Sequence, residues 1–257
     1  MIFDFHAHYD AEAFNDDRDE VLRAMPAAGV GGIVNCGTTV KSSEFSLVLT
    51  EQHPFVWAAT GIHPEDAAGV AEADIQAIGE YYSHPKCVAL GEIGLDYHWL
   101  DLCDKETQLK WFERQLRLAK ELDAPVIVHD REAHEDTFRL LKKYRPRGVL
   151  HCYSGSAEML REVAALDMYI GLGGAVTFKN AVKPMEAAKT IPLNRLLLET
   201  DAPYMAPEPF RGERCDSRHI RYTAEKIAAV RGMEMEELLD ITAENARELF
   251  NKLKIDN

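Results

Sequence analysis

Histidines and carboxylates recur in this sequence where short apolar runs end: DFHAH at residues 4–8, VALGE at 88–92, VIVH at 126–129, VLHC at 149–152 and LLLETD at 196–201. His6 and His8 flank a single alanine, and the two-residue period of a strand turns both imidazoles to one side, where they can share a cation. His129 and His151 each terminate an apolar run, Glu92 follows one, and Asp201 completes the set. A solitary strand-end histidine is more often a hydrogen-bonded structural residue than a ligand. Six potential donors from five strands, all at the same end of their elements, make coincidence a poor account. Neutral imidazoles mixed with carboxylates and no cysteine suit zinc, manganese or another borderline divalent ion. Two such cations sharing a carboxylate can bring a bound water near neutral pKa and stabilise both the attacking and the leaving oxygen. The chemistry expected is therefore hydrolysis by a metal-activated hydroxide. Asp201 can serve as general base toward that water or as a ligand only, and the residues favour neither role over the other.

Positioning six distant donors requires a repeating scaffold. Eight short β-branched or apolar runs alternate with longer amphipathic stretches: Ile2–Phe5, Gly32–Asn35, Phe55–Ala59, Val88–Leu90, Pro125–Val128, Val149–Leu150, Met168–Ile170 and Leu196–Leu198. This is the rhythm of parallel strands with crossover helices. The helical period is clearest over Lys105–Leu122, where Leu109, Phe112, Leu116 and Ala119 recur on one face. The fold class expected is α/β, a (β/α)8 TIM barrel forming a single domain over 1–257, with an additional C-terminal helix at Met235–Leu253. In such a barrel the active-site groups gather at the carboxyl-terminal rim of the strands. A doubly wound open sheet is the rival, but no glycine-rich dinucleotide turn follows the first strand.

The 257 residues are 46% hydrophobic and carry a formal net charge of −14, so a polyanion is repelled at long range unless basic residues or bound cations reverse the field locally. FRGERCDSRHI concentrates Arg211, Arg214, Arg218 and His219 in this acidic chain, and Arg211 and Arg214 are candidates to grip a phosphate through paired donors. His63, in TGIHPE, faces the same rim and could contact a phosphate or protonate a leaving oxygen. Asp96 and His98, just beyond Glu92, are candidates to orient ligands or touch substrate, and Tyr97 and Trp99 could stack on a base. Five scattered cysteines read as reduced thiols, Cys152 as a structural one beside His151. No run approaches a membrane span and no leader pattern opens the chain, so a soluble, cytoplasmic protein is expected.

The motifs DFHAH, TGIHPE, GEIGLDYH, VIVHDREAHEDT, HCYSG and LLLETDAPYMAP, in this order over nearly the whole chain, resemble the TatD family of metal-dependent hydrolases within the amidohydrolase-like barrels. The resemblance implies that His6, His8, Glu92 and Asp201 serve one metal and that Glu92, His129 and His151 serve a second. It implies two divalent ions (zinc, manganese or magnesium) and a deoxyribonuclease, often a 3′ to 5′ exonuclease, acting on DNA as single strands or ends. Where family members usually carry asparagine, an acidic residue and proline, this chain has Cys215, Asp216 and Ser217; that loop is expected to border the cleft and to bear on substrate preference. Two other functions fit the same donors. One is hydrolysis of an amide, lactone or ester, including an aminoacyl bond on tRNA; the other is a metal-stabilised scaffold without activity.

Overall fold

The computed structural model describes residues 1–254, so the last three residues of the expected 1–257 domain lie outside the described residues. Eight parallel strands form one sheet in sequence order: β1 (Ile2–Ala7), β2 (Val30–Cys36), β3 (Val56–Thr60), β4 (Cys87–Asp96), β5 (Val126–Arg131), β6 (Gly148–Leu150), β7 (Tyr169–Leu172) and β8 (Leu196–Leu198). Helices cross between them: α1 (Arg18–Ala24), α2 (Val40–Gln52), α3 (Glu72–Tyr81), α4 (Lys105–Leu122), α5 (His134–Tyr144), α6 (Leu160–Ala165), α7 (Val182–Thr190) and α8 (Ile220–Arg231), with α9 (Met235–Leu249) added after them. The expected (β/α)8 barrel is the observed fold. No hydrogen-bonded ladder joins β8 to β1. The barrel is instead closed just past β8, where the Asp201 N–H donates to the His6 carbonyl at 3.0 Å and the His8 N–H to the Ala202 carbonyl at 2.7 Å.

Local sequence explains the elements. Asp104 caps α4 by accepting the Thr107 N–H at 3.0 Å, and Asp123 ends the helix in the left-handed conformation, φ 49°. Between these stops Trp111, Phe112, Leu116 and Ala119 are buried against the sheet, matching the expected face, with Leu109 at its edge. The strands are buried on both sides, as parallel strands under crossover helices must be.

Two apolar layers result. One lies between the sheet and its helices. The other fills the barrel lumen with Phe3, Phe5, Val34, Trp57, Val88, Ile127, Val149 and Leu197, and is sealed by Ala243, Ala246, Leu249, Phe250 and Leu253. Asn245 of α9 donates to the carbonyls of Leu193 and Leu196 at 2.7 and 2.8 Å, which places the helix at the amino-terminal mouth of the barrel. The lumen is thus plugged below, and the opposite mouth is left for polar groups.

β4 differs most from its expected extent. The apolar run ends at Leu90, yet pairing continues to Asp96, with a register irregularity between Leu90 and Ile93. Glu92 therefore sits inside the strand, at the irregularity, rather than after it; an irregularity of this kind re-aims a side chain. Gly94 makes the continued pairing possible, because a Cβ there would fall 2.0 Å from the carbonyl oxygen of His129.

Candidate metal centre

β1 delivers His6 and His8, β4 delivers Glu92, and the segment past β8 delivers Asp201. Their inward atoms cluster. His6 Nε2 and His8 Nε2 stand 3.0 Å apart; each is 3.3–3.4 Å from Glu92 Oε2 and 3.5–3.6 Å from Asp201 Oδ1. The other oxygen of Glu92 faces a second group: Oε1 is 2.8 Å from His129 Nδ1 and 2.8 Å from His151 Nε2, and those two nitrogens are 3.2 Å apart. Tetrahedral donors at the ~2.0–2.1 Å of a zinc–nitrogen bond are separated by about 3.3 Å, so the first set has the spacing of a coordination shell. His6, His8 and Glu92 are buried, as is His151, with Asp201 the more open carboxylate.

The sequence model of the family described as "TatD related DNase" matches residues 3–251. The chain belongs to the TatD family. It is 44% identical over 253 residues to the "Uncharacterized metal-dependent hydrolase YabD" of Bacillus subtilis, spanning 97% of this chain and 99% of that one. It is 37% identical to the "3'-5' ssDNA/RNA exonuclease TatD" of Erwinia tasmaniensis, over 97% and 100% of the two chains. The crystal structure of YjjV, a TatD homolog from Escherichia coli, superposes with a TM-score of 0.91 at 32% identity, covering 97% and 98%. The chain is a metal-dependent hydrolase of the TatD and amidohydrolase-like type.

What lies behind the TatD donors sets their protonation. His8 Nδ1 is 2.9 Å from the Cys36 carbonyl, His129 Nε2 is 2.9 Å from Asp96 Oδ2, and His151 Nδ1 is 3.3 Å from Glu199 Oε2. A carbonyl or carboxylate only accepts, so each outer nitrogen carries a hydrogen, and the inner nitrogen is the atom left to bind a proton or a cation. Lone pairs of neutral imidazoles facing carboxylate oxygens at about 3 Å repel unless a cation or proton sits among them, and the two compete for the same sites. The residues present fit divalent ions on this ground.

Electrostatics point the same way. Burial works to raise the Glu92 and Asp201 carboxyls, yet the surrounding imidazoles hold both below the ordinary range, so both are ionised. Burial and the neighbouring His151 push the His6 imidazole down to about 4. Burial also works to lower His8, His129 and His151, but the facing carboxylates outweigh it, raising His129 to about 9 and the other two well above the ordinary range, so without a cation these rings draw protons into the positions that ions would take.

His63 behaves differently. Its Nδ1 accepts the Glu65 N–H at 3.2 Å, so Nε2 carries the hydrogen and stands 3.5 Å from Glu92 Oε1. It shares a triad with Glu92 and His129, but as a donor, not as a bare ligand atom. Glu199 forms a further triad with His6 and His151 and is spent on the His151 ring and on the Cys152 N–H at 2.5 Å.

The TatD centre opens into a cleft of about 750 Å³ lined by His8, His63, Glu92, His129, His151 and Asp201. Of the residues expected to meet substrate, His63 and Trp99 line it. Asp96 is turned to the back of His129 and caps the following loop through the His98 and Trp99 N–H groups. His98 is outside the cleft wall, 3.0 Å from Glu132. Arg214 is committed to Asp17 through both terminal nitrogens, and Arg211 lies over the Phe178 ring. The Cys215–Ser217 segment does not border the cleft either: all three residues are buried, and Ser217 donates to Asp4 at 2.6 Å beneath the centre. Asp4 also accepts from Thr200 and from the His6 N–H, and burial raises its carboxyl to about 7. Arg131 and Tyr204 are among the cleft residues that went unnoticed in the sequence. Arg131 was legible in principle, since the period of a strand places it on the side of His129.

Proposed function

We propose that this chain is a divalent-metal-dependent nuclease that hydrolyses phosphodiester bonds of DNA, taking single strands or exposed ends in the 3′ to 5′ direction. The observation that carries the reading is the division of Glu92, with one oxygen facing His6, His8 and Asp201 and the other facing His129 and His151. The chain's similarity to the 3'-5' ssDNA/RNA exonuclease of Erwinia tasmaniensis supports the substrate class. Bound ions supply Lewis acidity and lower the pKa of a coordinated water.

The chain does the rest. His6, His8 and Asp201 would hold one ion and His129 and His151 the other, with Glu92 offering one oxygen to each set. The Asp201 side chain is 18% exposed against 3% for Glu92, so Asp201 is the carboxylate that meets water, and it takes the proton of the attacking water. His63 presents an Nε2–H at the cleft wall and donates to the oxygen that leaves. Asp96 and Glu199 keep His129 and His151 in the tautomer that points a lone pair inward.

Metal-loaded protein assayed on 5′-end-labelled oligonucleotides is expected to yield a ladder shortening from the 3′ end. Turnover of amide, lactone or ester substrates with intact oligonucleotides would replace this reading with carbonyl hydrolysis. Two bound ions with no turnover on either panel would favour the scaffold.

A further inference from the structure

We propose that Arg131 and Trp99 form a nucleotide subsite on the His129 side of the cleft, with Arg131 holding a phosphate other than the one cleaved and Trp99 stacking on its base; the proposal rests on the nuclease reading. Besides the carboxylates of the metal centre, Asp10, Glu65, Asp66 and Asp101 line the cleft, and Arg131 is its one lysine or arginine. An anionic polymer is therefore repelled along the rim except at this guanidinium and at the ions themselves. Arg131 ends β5, two residues beyond His129, and its side chain is exposed. Among the described residues it forms no ion pair, whereas Arg114, Arg139, Arg195, Arg214 and Arg218 are each held by a carboxylate.

The neighbouring indole supplies the second half. Arg131 Cζ lies 5.9 Å from the centroid of the Trp99 ring. Trp99 is 39% exposed, while Trp57 and Trp111 are 5% exposed each, so an indole is kept in water only at the cleft. The loop that carries it is held in place. Asp96 Oδ1 accepts the His98 and Trp99 N–H groups at 2.9 and 3.2 Å, and the His98 ring packs edge-on to the indole at 4.7 Å. A held, exposed aromatic beside an unpaired cation suits a base and its phosphate, and a platform fixed in advance loses little entropy on binding.

Four variants test it: Trp99→Phe in a binding titration, and Trp99→Ala, Arg131→Ala and Arg131→Lys, each metal-loaded and assayed on oligothymidylate and on 4-nitrophenyl methyl phosphate, which has one phosphodiester and no base. Trp99→Ala is expected to raise KM for the oligonucleotide by roughly five- to a hundred-fold, with kcat and the small diester little changed. Arg131→Ala should also flatten the dependence of log affinity on log salt by roughly 0.7, the contribution of one phosphate contact on a single strand, and Arg131→Lys should restore it. Titration with a phosphorothioate oligothymidylate should quench tryptophan emission in the wild type and not in Trp99→Phe. Oligonucleotide turnover by the wild type with KM and salt slope unmoved in the variants would overturn the subsite alone. Failure of the wild type on both substrates would overturn the nuclease reading, and absence of the quench would then remove the subsite too.

Discussion

The Asp201 N–H donates to the carbonyl oxygen of His6 at 3.0 Å, so the bond that closes the barrel also joins two candidate ligands. Two residues past His6 and one past Asp201, the His8 N–H returns the contact to the Ala202 carbonyl at 2.7 Å. Barrel closure and assembly of the first donor set are the same event, since His6, His8 and Asp201 approach one another only when the first strand meets the segment after the last.

Asp201 sits at φ 61°, a conformation in which asparagine is tolerated better than most residues. Asp201→Asn is therefore expected to fold with a melting temperature near wild type while losing turnover by roughly a hundred-fold or more, the usual contribution of a general base. Elemental analysis of the purified variant separates the two roles. Full metal content with lost kcat identifies the base, ion loss in step with activity identifies a ligand, and wild-type kcat excludes both.

Asp96 reaches His129 Nε2 at 2.9 Å from behind. Asp96→Ala should weaken divalent-ion affinity by roughly ten- to a hundred-fold, as loss of an outer partner of a metal-bound histidine typically does. Calorimetric titration of the metal-free protein measures this. Unchanged ion affinity with a raised KM would return Asp96 to the substrate-contact role suggested by its position in the sequence.

Ser217 is fully buried, donates to Asp4 and receives the Tyr9 hydroxyl within 2.8 Å. Ser217→Ala leaves both partners short of a hydrogen bond, which costs about 1–3 kcal/mol. Urea unfolding at neutral pH checks the figure; a loss under about 0.5 kcal/mol would mean that the hydroxyl is dispensable to this network.

Asp136 is held down to about 2 by Lys105 at 2.7 Å, with Arg139 and the Tyr97 hydroxyl adding to the effect against the opposing influence of burial. Because the folded value lies below the ordinary 3.8, the stabilisation is fully present above that pH and is lost as pH falls toward about 2. Asp136→Asn should lower stability by about 1 kcal/mol near neutrality, after allowing for solvent screening of a rim pair. The wild-type and variant curves should converge in acid, and a difference that persisted at the acid end would exclude the ion pair as its source.

The sequence by itself determined the eight strand positions, the helical face of α4 and the donors at the carboxyl-terminal mouth. Strand and helix periods are local, and a parallel strand must be apolar wherever helices cover it. The same local period was enough to turn His6 and His8 to one side. Only the tertiary structure decided which oxygen of Glu92 meets which histidines, because that depends on an irregularity in β4 and on partners as far as 109 positions away in the chain, at Asp201. It likewise set Asp96 and Glu199 behind imidazoles, buried Ser217 under Asp4, gave Arg214 to Asp17 and left Arg131 alone at the cleft. A cluster of arginines in sequence states how much charge is nearby. Where that charge points depends on which carboxylate the closed barrel brings within reach, and that carboxylate comes from a distant part of the chain.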